Sequence, residues 1–157
     1  MVLNKYYLKK TATPVWLSVV LLVQIFVFTG DTVYSANRIK VVVLGNSLTA
    51  GYGLKEQDAF PFKLAVALKS SGRSVQVINA GVSGDTSAGG RSRLSWALTD
   101  NPQLVIIELG ANDGLRGLDP SETKANLNAV LIDLKKRRIK VLLTGMLAPP
   151  NLSLIHI

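Results

Sequence analysis

Four short apolar runs alternate along the chain with longer segments that have helical character. We predict strands at residues 39–45, 74–79, 103–109 and 140–145. The runs are mainly apolar rather than strictly alternating, which is typical of strands buried on both faces of a parallel sheet. We predict helices at residues 59–70, 86–99 and 120–136, with Asp58 as the first cap. Strand and helix alternate, so we expect an α/β fold in which helices cover both faces of the sheet.

Three chemically suggestive residues follow the first three strands. Ser47, Gly81 and Asn112 each lie two or three residues beyond a predicted strand. The carboxyl ends of parallel strands share one edge, so these residues are expected to converge there. A serine hydroxyl, a backbone N–H and a carboxamide would together supply a nucleophile and an oxyanion hole. The structural alternatives are a helix cap, a positive-φ turn and an Asx turn, respectively.

The first 35 residues are predicted to be a secretory signal peptide. Residues 1–30 contain three lysines and no acidic residue, and the run 15–28 is apolar except for Ser18 and Gln24. A basic segment followed by an apolar one is typical of such signals, and we predict cleavage before Ala36. The run is shorter than the roughly 20 residues that span a bilayer. An uncleaved membrane anchor remains the alternative, and the protein is expected to be exported, either periplasmic or secreted.

Composition excludes several classes of site. The chain has no cysteine, which excludes a disulfide framework, a thiolate metal site and a cysteine nucleophile. Its net charge is +8, and one basic cluster occupies residues 135–140. We interpret this cluster as the solvated last turn of a helix, where cations meet the helix dipole favourably. No aromatic residue interleaves with it, as single-strand nucleic-acid binding would require. Contact with anionic lipid headgroups stays open.

Four ordered segments resemble the SGNH (GDSL-type) hydrolases, in particular the bacterial periplasmic thioesterase, lysophospholipase and arylesterase group. They are LGNSLTAGYGL, NAGVSGDTSAGG, LGANDGLRG and GMLAPPN. The resemblance implies a three-layer α/β/α sandwich with a parallel, flavodoxin-like sheet. It also implies that Ser47 attacks an acyl ester, a thioester or a lysophospholipid. The oxyanion would be held by the N–H groups of Ser47 and Gly81 and by the Asn112 side chain. We expect a monomer with no cofactor, metal or nucleic-acid partner.

Two features depart from that family. Asn46 stands where the family usually has aspartate; an amide keeps a donor and an acceptor but carries no charge. The family's Asp-x-x-His base is missing, since the only histidine is His156 and Ser153 precedes it by three residues. The tail 152–157 resembles a translated sequencing adapter, so it is predicted to be non-native and His156 non-catalytic. Residues 36–151 are therefore expected to form a C-terminally truncated hydrolase domain that is inactive as it stands.

Three other interpretations remain. The segment GNSLTAG after the first strand is also compatible with a phosphate or cofactor cradle in a non-catalytic, flavodoxin-like binder. Asp85, Glu108 and Asp113 form a weaker candidate for a carboxylate metal site. The third alternative is an inactive membrane-tethered fragment. A P-loop nucleotide binder is excluded, because G-x-x-x-x-G-K-[ST] is absent.

Overall fold

The computed structural model describes residues 38–146. The predicted signal peptide at residues 1–35 and the tail 152–157, including His156, lie outside the described residues. The elements in chain order are β1 (Ile39–Gly45), α1 (Ser47–Ala50), α2 (Phe60–Ser70), β2 (Val75–Gly81), α3 (Ser87–Ser92), α4 (Leu94–Ala97), β3 (Leu104–Glu108), α5 (Ala111–Leu115), α6 (Pro120–Lys136) and β4 (Lys140–Leu143). A short 3₁₀ turn, Glu56–Asp58, precedes α2.

The four strands form one parallel sheet in the order β2-β1-β3-β4. This confirms the predicted parallel sheet and its flavodoxin-like order. In the sheet register, Gly45 at the end of β1 lies beside Gly81 of β2 and Glu108 of β3. The three strands that precede the predicted site residues therefore end at the same level.

Two apolar layers sandwich the sheet. On one face Val42 and Leu44 pack with Leu94, Val130 and Leu134, which come from α4 and α6. On the other face the residues of β1 that alternate with these pack with Leu64 of α2. Because β1 buries both of its faces from Val41 to Leu44, that part of its sequence is continuously apolar rather than alternating. The helices on both sides give the predicted three-layer α/β/α arrangement.

The predicted helix 86–99 is instead two short helices that meet at Arg93. The Gly89-Gly90 pair weakens the first of them, and Arg93 adopts φ −100° and ψ 8° at the junction. The predicted cap at Asp58 is wrong, because α2 begins after Ala59 with no side-chain cap. The Asp58 carboxylate instead pairs with the Lys63 ammonium at 2.9 Å.

Helix α6 begins and ends where the sequence predicts. The carboxylate of Asp119 caps it by accepting a 2.7 Å hydrogen bond from the Ser121 N–H. Hydrogen bonds from the Ser121 backbone and side chain hold the pKa of the Asp119 carboxyl below its usual value.

Between residues 38 and 146, the helices are all too short or too polar to cross a bilayer.

Candidate functional site

Ser47 is the first residue of α1, in a tight turn directly after β1. The turn is fixed by Asn46, whose side chain acts as both acceptor and donor. Its Oδ1 accepts from the Leu48 N–H at 3.0 Å, and its Nδ2 donates to Glu108 Oε1 at 2.7 Å. Both hydrogen-bonding roles expected of an amide at this position are therefore used. Ser47 itself is half-buried, so its side chain keeps some access to solvent.

The Glu108 carboxylate stabilises this turn through hydrogen bonds, a role that the sequence did not indicate. Its carboxylate accepts from the Asn46 N–H at 3.2 Å and from Thr49 Oγ1 at 3.0 Å, in addition to Asn46 Nδ2. The sequence signal for this role is an acidic residue at the end of an apolar strand. Its partners became evident only from the register that sets Glu108 beside Gly45.

Gly81 does not have the features predicted for an oxyanion donor. It is the last residue of β2, and a Cβ there would lie 2.2 Å from the Ala50 nitrogen. Close backbone approach, rather than a positive φ, therefore requires glycine. The Gly81 N–H already donates to Asn79 Oδ1 at 2.9 Å. Serving an oxyanion would cost that hydrogen bond, so the structure does not favour Gly81 as a donor.

A second glycine, Gly84, lies in the turn that follows. The Asp85 N–H donates to the Val82 carbonyl at 3.1 Å, and Gly84 has a φ of +84°, a value that favours glycine. Within residues 38–146 the Gly84 N–H donates to no other group. Its carbonyl accepts from Arg116 Nη2 at 2.7 Å, which fixes the peptide that follows Gly84 and so anchors the turn. Gly84 is thus better suited than Gly81 to donate to a ligand.

Asn112 lies against this turn. Its Nδ2 donates to the Asp85 carbonyl at 2.7 Å, so the side chain reaches across to the loop after β2 instead of forming the local Asx turn. One Nδ2 hydrogen is used in this bond and the amide has a second one to offer. Asn112 and Gly84 are consequently brought together by the Val82–Asp85 turn.

The buried neighbour of Asn112 fixes α5. Asp113 is 2% exposed, and its carboxylate accepts from the Ser87 N–H at 2.7 Å, from Ser87 Oγ at 2.5 Å and from Thr123 Oγ1 at 3.2 Å. These bonds connect α5 to the start of α3 and to α6. Asp113 therefore orders the segment that holds Asn112.

Arg93 connects the turn after β2 with the ends of β1 and β2. Its guanidinium donates to the Asp85 carboxylate at 2.5 Å, to the Ala80 carbonyl at 2.7 Å and to the Gly45 carbonyl at 2.9 Å. The side chains of Arg93 and Asp85 are 16% and 14% exposed, so the pair is largely desolvated. The same cation thus contacts the end of β1, the end of β2 and the turn that Asn112 contacts. The sequence did not indicate this role, because Asp85 and Arg93 are eight positions apart and lie on either side of α3.

An open apolar cavity of about 290 Å³ adjoins the turn that holds Ser47. Leu48, Thr49, Phe60 and Met146 are among the residues that line it. Its polar lining is small, so it suits a hydrocarbon group better than a charged one.

The alternative sites find less support. No group of acidic or histidine side chains within the described range could hold a metal ion. Asp85, Glu108 and Asp113 lie apart, each satisfied by the different partners given above. In the GNSLTAG turn, the N–H groups of Asn46, Leu48 and Ala50 already donate within the protein. A phosphate there would also lie close to the Glu108 carboxylate, which disfavours a phosphate cradle.

The Asn46–Glu108 pair predicts the effect of Asn46→Asp. Two carboxylates would then face each other at hydrogen-bond distance, which raises the pKa of one of them above its unfolded value. The folded variant is stable while that carboxyl is protonated at low pH. Its free energy of unfolding falls as the pH rises through the raised pKa. We expect the free energy of unfolding to fall by about 1–3 kcal/mol at pH 8 and by less near pH 5. Thermal melts at the two pH values measure it. In the double variant Asn46→Asp/Glu108→Gln the pH difference should disappear; its persistence would contradict the explanation.

Comparison with known proteins agrees with this geometry. The model for the GDSL-like Lipase/Acylhydrolase family matches residues 43–155. An arylesterase from Vibrio mimicus is 42% identical over 113 residues, which cover 71% of this chain and 56% of that protein. The Escherichia coli K12 protein named thioesterase 1/protease 1/lysophospholipase L1 is 39% identical over 112 residues, 71% of this chain and 52% of that protein.

Solved structures give the same result. The crystal structure of AlinE4, an SGNH-hydrolase family esterase, superimposes with a TM-score of 0.71 at 49% identity. The superposition covers 74% of this chain and 63% of AlinE4. This chain therefore spans only about half the length of the curated relatives that it matches.

Proposed function

Because the chain belongs to the GDSL-like lipase/acylhydrolase family, we propose that it carries the nucleophile and oxyanion hole of a serine ester hydrolase. Ser47 is the proposed nucleophile. Its backbone N–H, the Asn112 side chain and a glycine N–H are the proposed oxyanion donors. One observation carries the proposal: β1, β2 and β3 end in register with one another. The turns that follow these strands therefore lie at the same edge of the sheet.

The proposed reaction has two steps, formation of an acyl-enzyme and its hydrolysis. Ser47 Oγ attacks the acyl carbon, and the carbonyl oxygen becomes an oxyanion that fixed N–H donors stabilise. Collapse of this intermediate breaks the bond to the leaving group and leaves an acyl-Ser47 ester, which water then hydrolyses. We assign the glycine donor to Gly84 in place of Gly81, because the Gly81 N–H is already donated to Asn79.

The base that accepts the Ser47 proton is proposed to lie outside residues 38–146. These residues contain no histidine, and the Glu108 carboxylate already accepts three hydrogen bonds from the nucleophile turn. His156 lacks an acidic residue three positions before it, so we do not assign it as the base. Full catalysis is accordingly a property proposed for the full-length protein.

The proposed substrates are small acyl esters, thioesters or lysophospholipids, with the apolar cavity beside Leu48 receiving the acyl group. The relatives named above as arylesterase and as thioesterase and lysophospholipase support this range. We also propose that residues 1–35 direct export and are cleaved before Ala36 or retained as an anchor. N-terminal sequencing of the exported protein distinguishes these two forms.

The direct test is an assay of the full-length protein on one substrate of each class. We expect it to hydrolyse an aryl ester and an acyl thioester and to react covalently with a fluorophosphonate probe. Ester turnover that is fully resistant to the probe would contradict a serine mechanism. A bound chromophore or phosphate ligand with no hydrolysis would support the cofactor-binding alternative instead.

A further inference from the structure

We propose that the amino edge of the sheet binds the surface of an anionic lipid bilayer. The amino edge is the end of the domain opposite the site, where strands begin and the packed helices end. It consists of residues 38–40, 69–75, 99–104 and 135–140. Backbone hydrogen bonds join these segments, from the Gln103 N–H to the Lys40 carbonyl at 3.0 Å and from the Lys140 N–H to the Gln103 carbonyl at 3.1 Å.

The positive charge of the domain is concentrated at this edge. The edge and the last turn of α6 that leads into it carry nine basic residues: Arg38, Lys40, Lys69, Arg73, Lys135, Lys136, Arg137, Arg138 and Lys140. They carry two acidic residues, Asp100 and Asp133. The other described residues include six basic and seven acidic side chains, so they have a slight negative excess. The whole positive excess of residues 38–146 therefore lies at the amino edge.

Helix-end electrostatics accounts for only part of this cluster. Lys69, Lys135 and Lys136 lie in last helical turns, where they complement the dipole. Arg38, Lys40 and Lys140 lie in strands or loops, where no helix dipole calls for a cation. Arg73 follows the end of α2, and its N–H donates to the Leu68 carbonyl at 3.0 Å. Among the nine, a salt bridge within the described residues forms only between Arg137 and Asp133, at 3.1 Å. Such crowding of like charge opposes folding, and an external anionic surface would offset it.

The edge also contains a concavity in which cations border an apolar floor. Arg38, Lys69 and Arg73 line an open cavity of about 460 Å³ together with Val66 and Val75. Cationic rims around apolar side chains match a lipid headgroup region, where phosphate oxygens lie beside glycerol and the first methylene groups. A rigid nucleic-acid backbone would offer no apolar partner for the two valines.

The order of the chain also favours a membrane as the partner. The apolar run 15–28 with its preceding lysines lies ten residues before Ile39–Gly45, and the chain enters the sheet at this edge. Ten residues span at most about 35 Å. The chain therefore enters the described domain at the amino edge, ten residues after a segment whose composition suits a bilayer.

The experiment measures vesicle binding of the full-length exported protein. Its N-terminus is sequenced first, so that the form under test is known. Co-sedimentation is measured with phosphatidylcholine vesicles that contain 30% or no phosphatidylglycerol, at low and at high salt. The edge variant is Arg38→Gln/Lys69→Gln/Arg73→Gln. The matched control is Lys55→Gln/Lys63→Gln/Lys124→Gln, which removes the same charge from exposed lysines elsewhere.

We expect salt-sensitive binding that requires phosphatidylglycerol. Each basic residue near such a surface contributes roughly a fivefold factor. Removing three should therefore weaken binding by up to roughly 100-fold, and by at least about tenfold where not all three contact the surface. The control variant should change binding by less than about threefold. An equal loss in both variants, or equal binding to both kinds of vesicle, would overturn the proposal. So would edge-dependent binding to a duplex oligonucleotide that vesicles fail to compete away. Circular dichroism checks that both variants are folded.

Discussion

Replacing Ser47 with alanine is expected to reduce ester hydrolysis by the full-length protein by roughly 10⁴-fold or more, to near background. The substitution removes the atom that would form the acyl-enzyme bond. It disturbs little else, because the turn is held by Asn46, Thr49 and Glu108 rather than by the serine hydroxyl. The same variant should lose all labelling by a fluorophosphonate probe, which intact-mass spectrometry measures.

The matched control is Ser95→Ala, an exposed serine in α4. It should retain both turnover and labelling. Labelling that survives Ser47→Ala would place the nucleophile elsewhere. An unfolded variant is recognised by its thermal melt, which Ser47→Ala should leave within a few degrees of the parent.

Replacing Asn112 with alanine is expected to lower kcat by about 10²–10³-fold with little change in KM. The amide would donate to an oxygen that carries its charge only in the transition state, so its loss weakens transition-state binding selectively. Steady-state kinetics on an aryl ester separates the two constants. A rise in KM at constant kcat would instead assign Asn112 to substrate binding.

Asn79→Ala decides between the two candidate glycine donors. Asn79 is exposed, and its Oδ1 occupies the Gly81 N–H. If Gly84 is the donor, removing this acceptor should leave kcat within about twofold. An increase in kcat after Asn79→Ala would show that the Gly81 N–H serves the oxyanion when it is released.

The sheet could be predicted well because its determinants are local. A continuous apolar run such as 41–44 is compatible with few positions in a fold other than a buried strand. Parallel strands then align their carboxyl ends without further information. That argument alone placed Ser47 and Asn112 at one edge. The family resemblance added their roles, and the match to the GDSL-like family confirms the resemblance.

The individual hydrogen bonds of the site could not be predicted from the sequence, because they depend on which side chain reaches which backbone group. Gly81 looked like an available donor until Asn79, two residues earlier, was seen to occupy it. Arg93 looked like one position in a helix, yet its contacts with Gly45 and Ala80 explain why the helix breaks there. Glu108 acquires its role only through the register that sets β3 beside β1.

Parallel strands give the domain two chemically different ends, and the distance between them has a consequence for substrate supply. β1 is seven residues long, so the basic end and Ser47 are separated by roughly 20 Å along the strand. A domain resting on lipid through its basic end would hold Ser47, the proposed nucleophile, above the headgroups and facing the aqueous phase. Substrate molecules would then reach Ser47 as monomers dissolved in water. The solubility of a substrate, as much as the shape of the cavity, would determine which esters are cleaved.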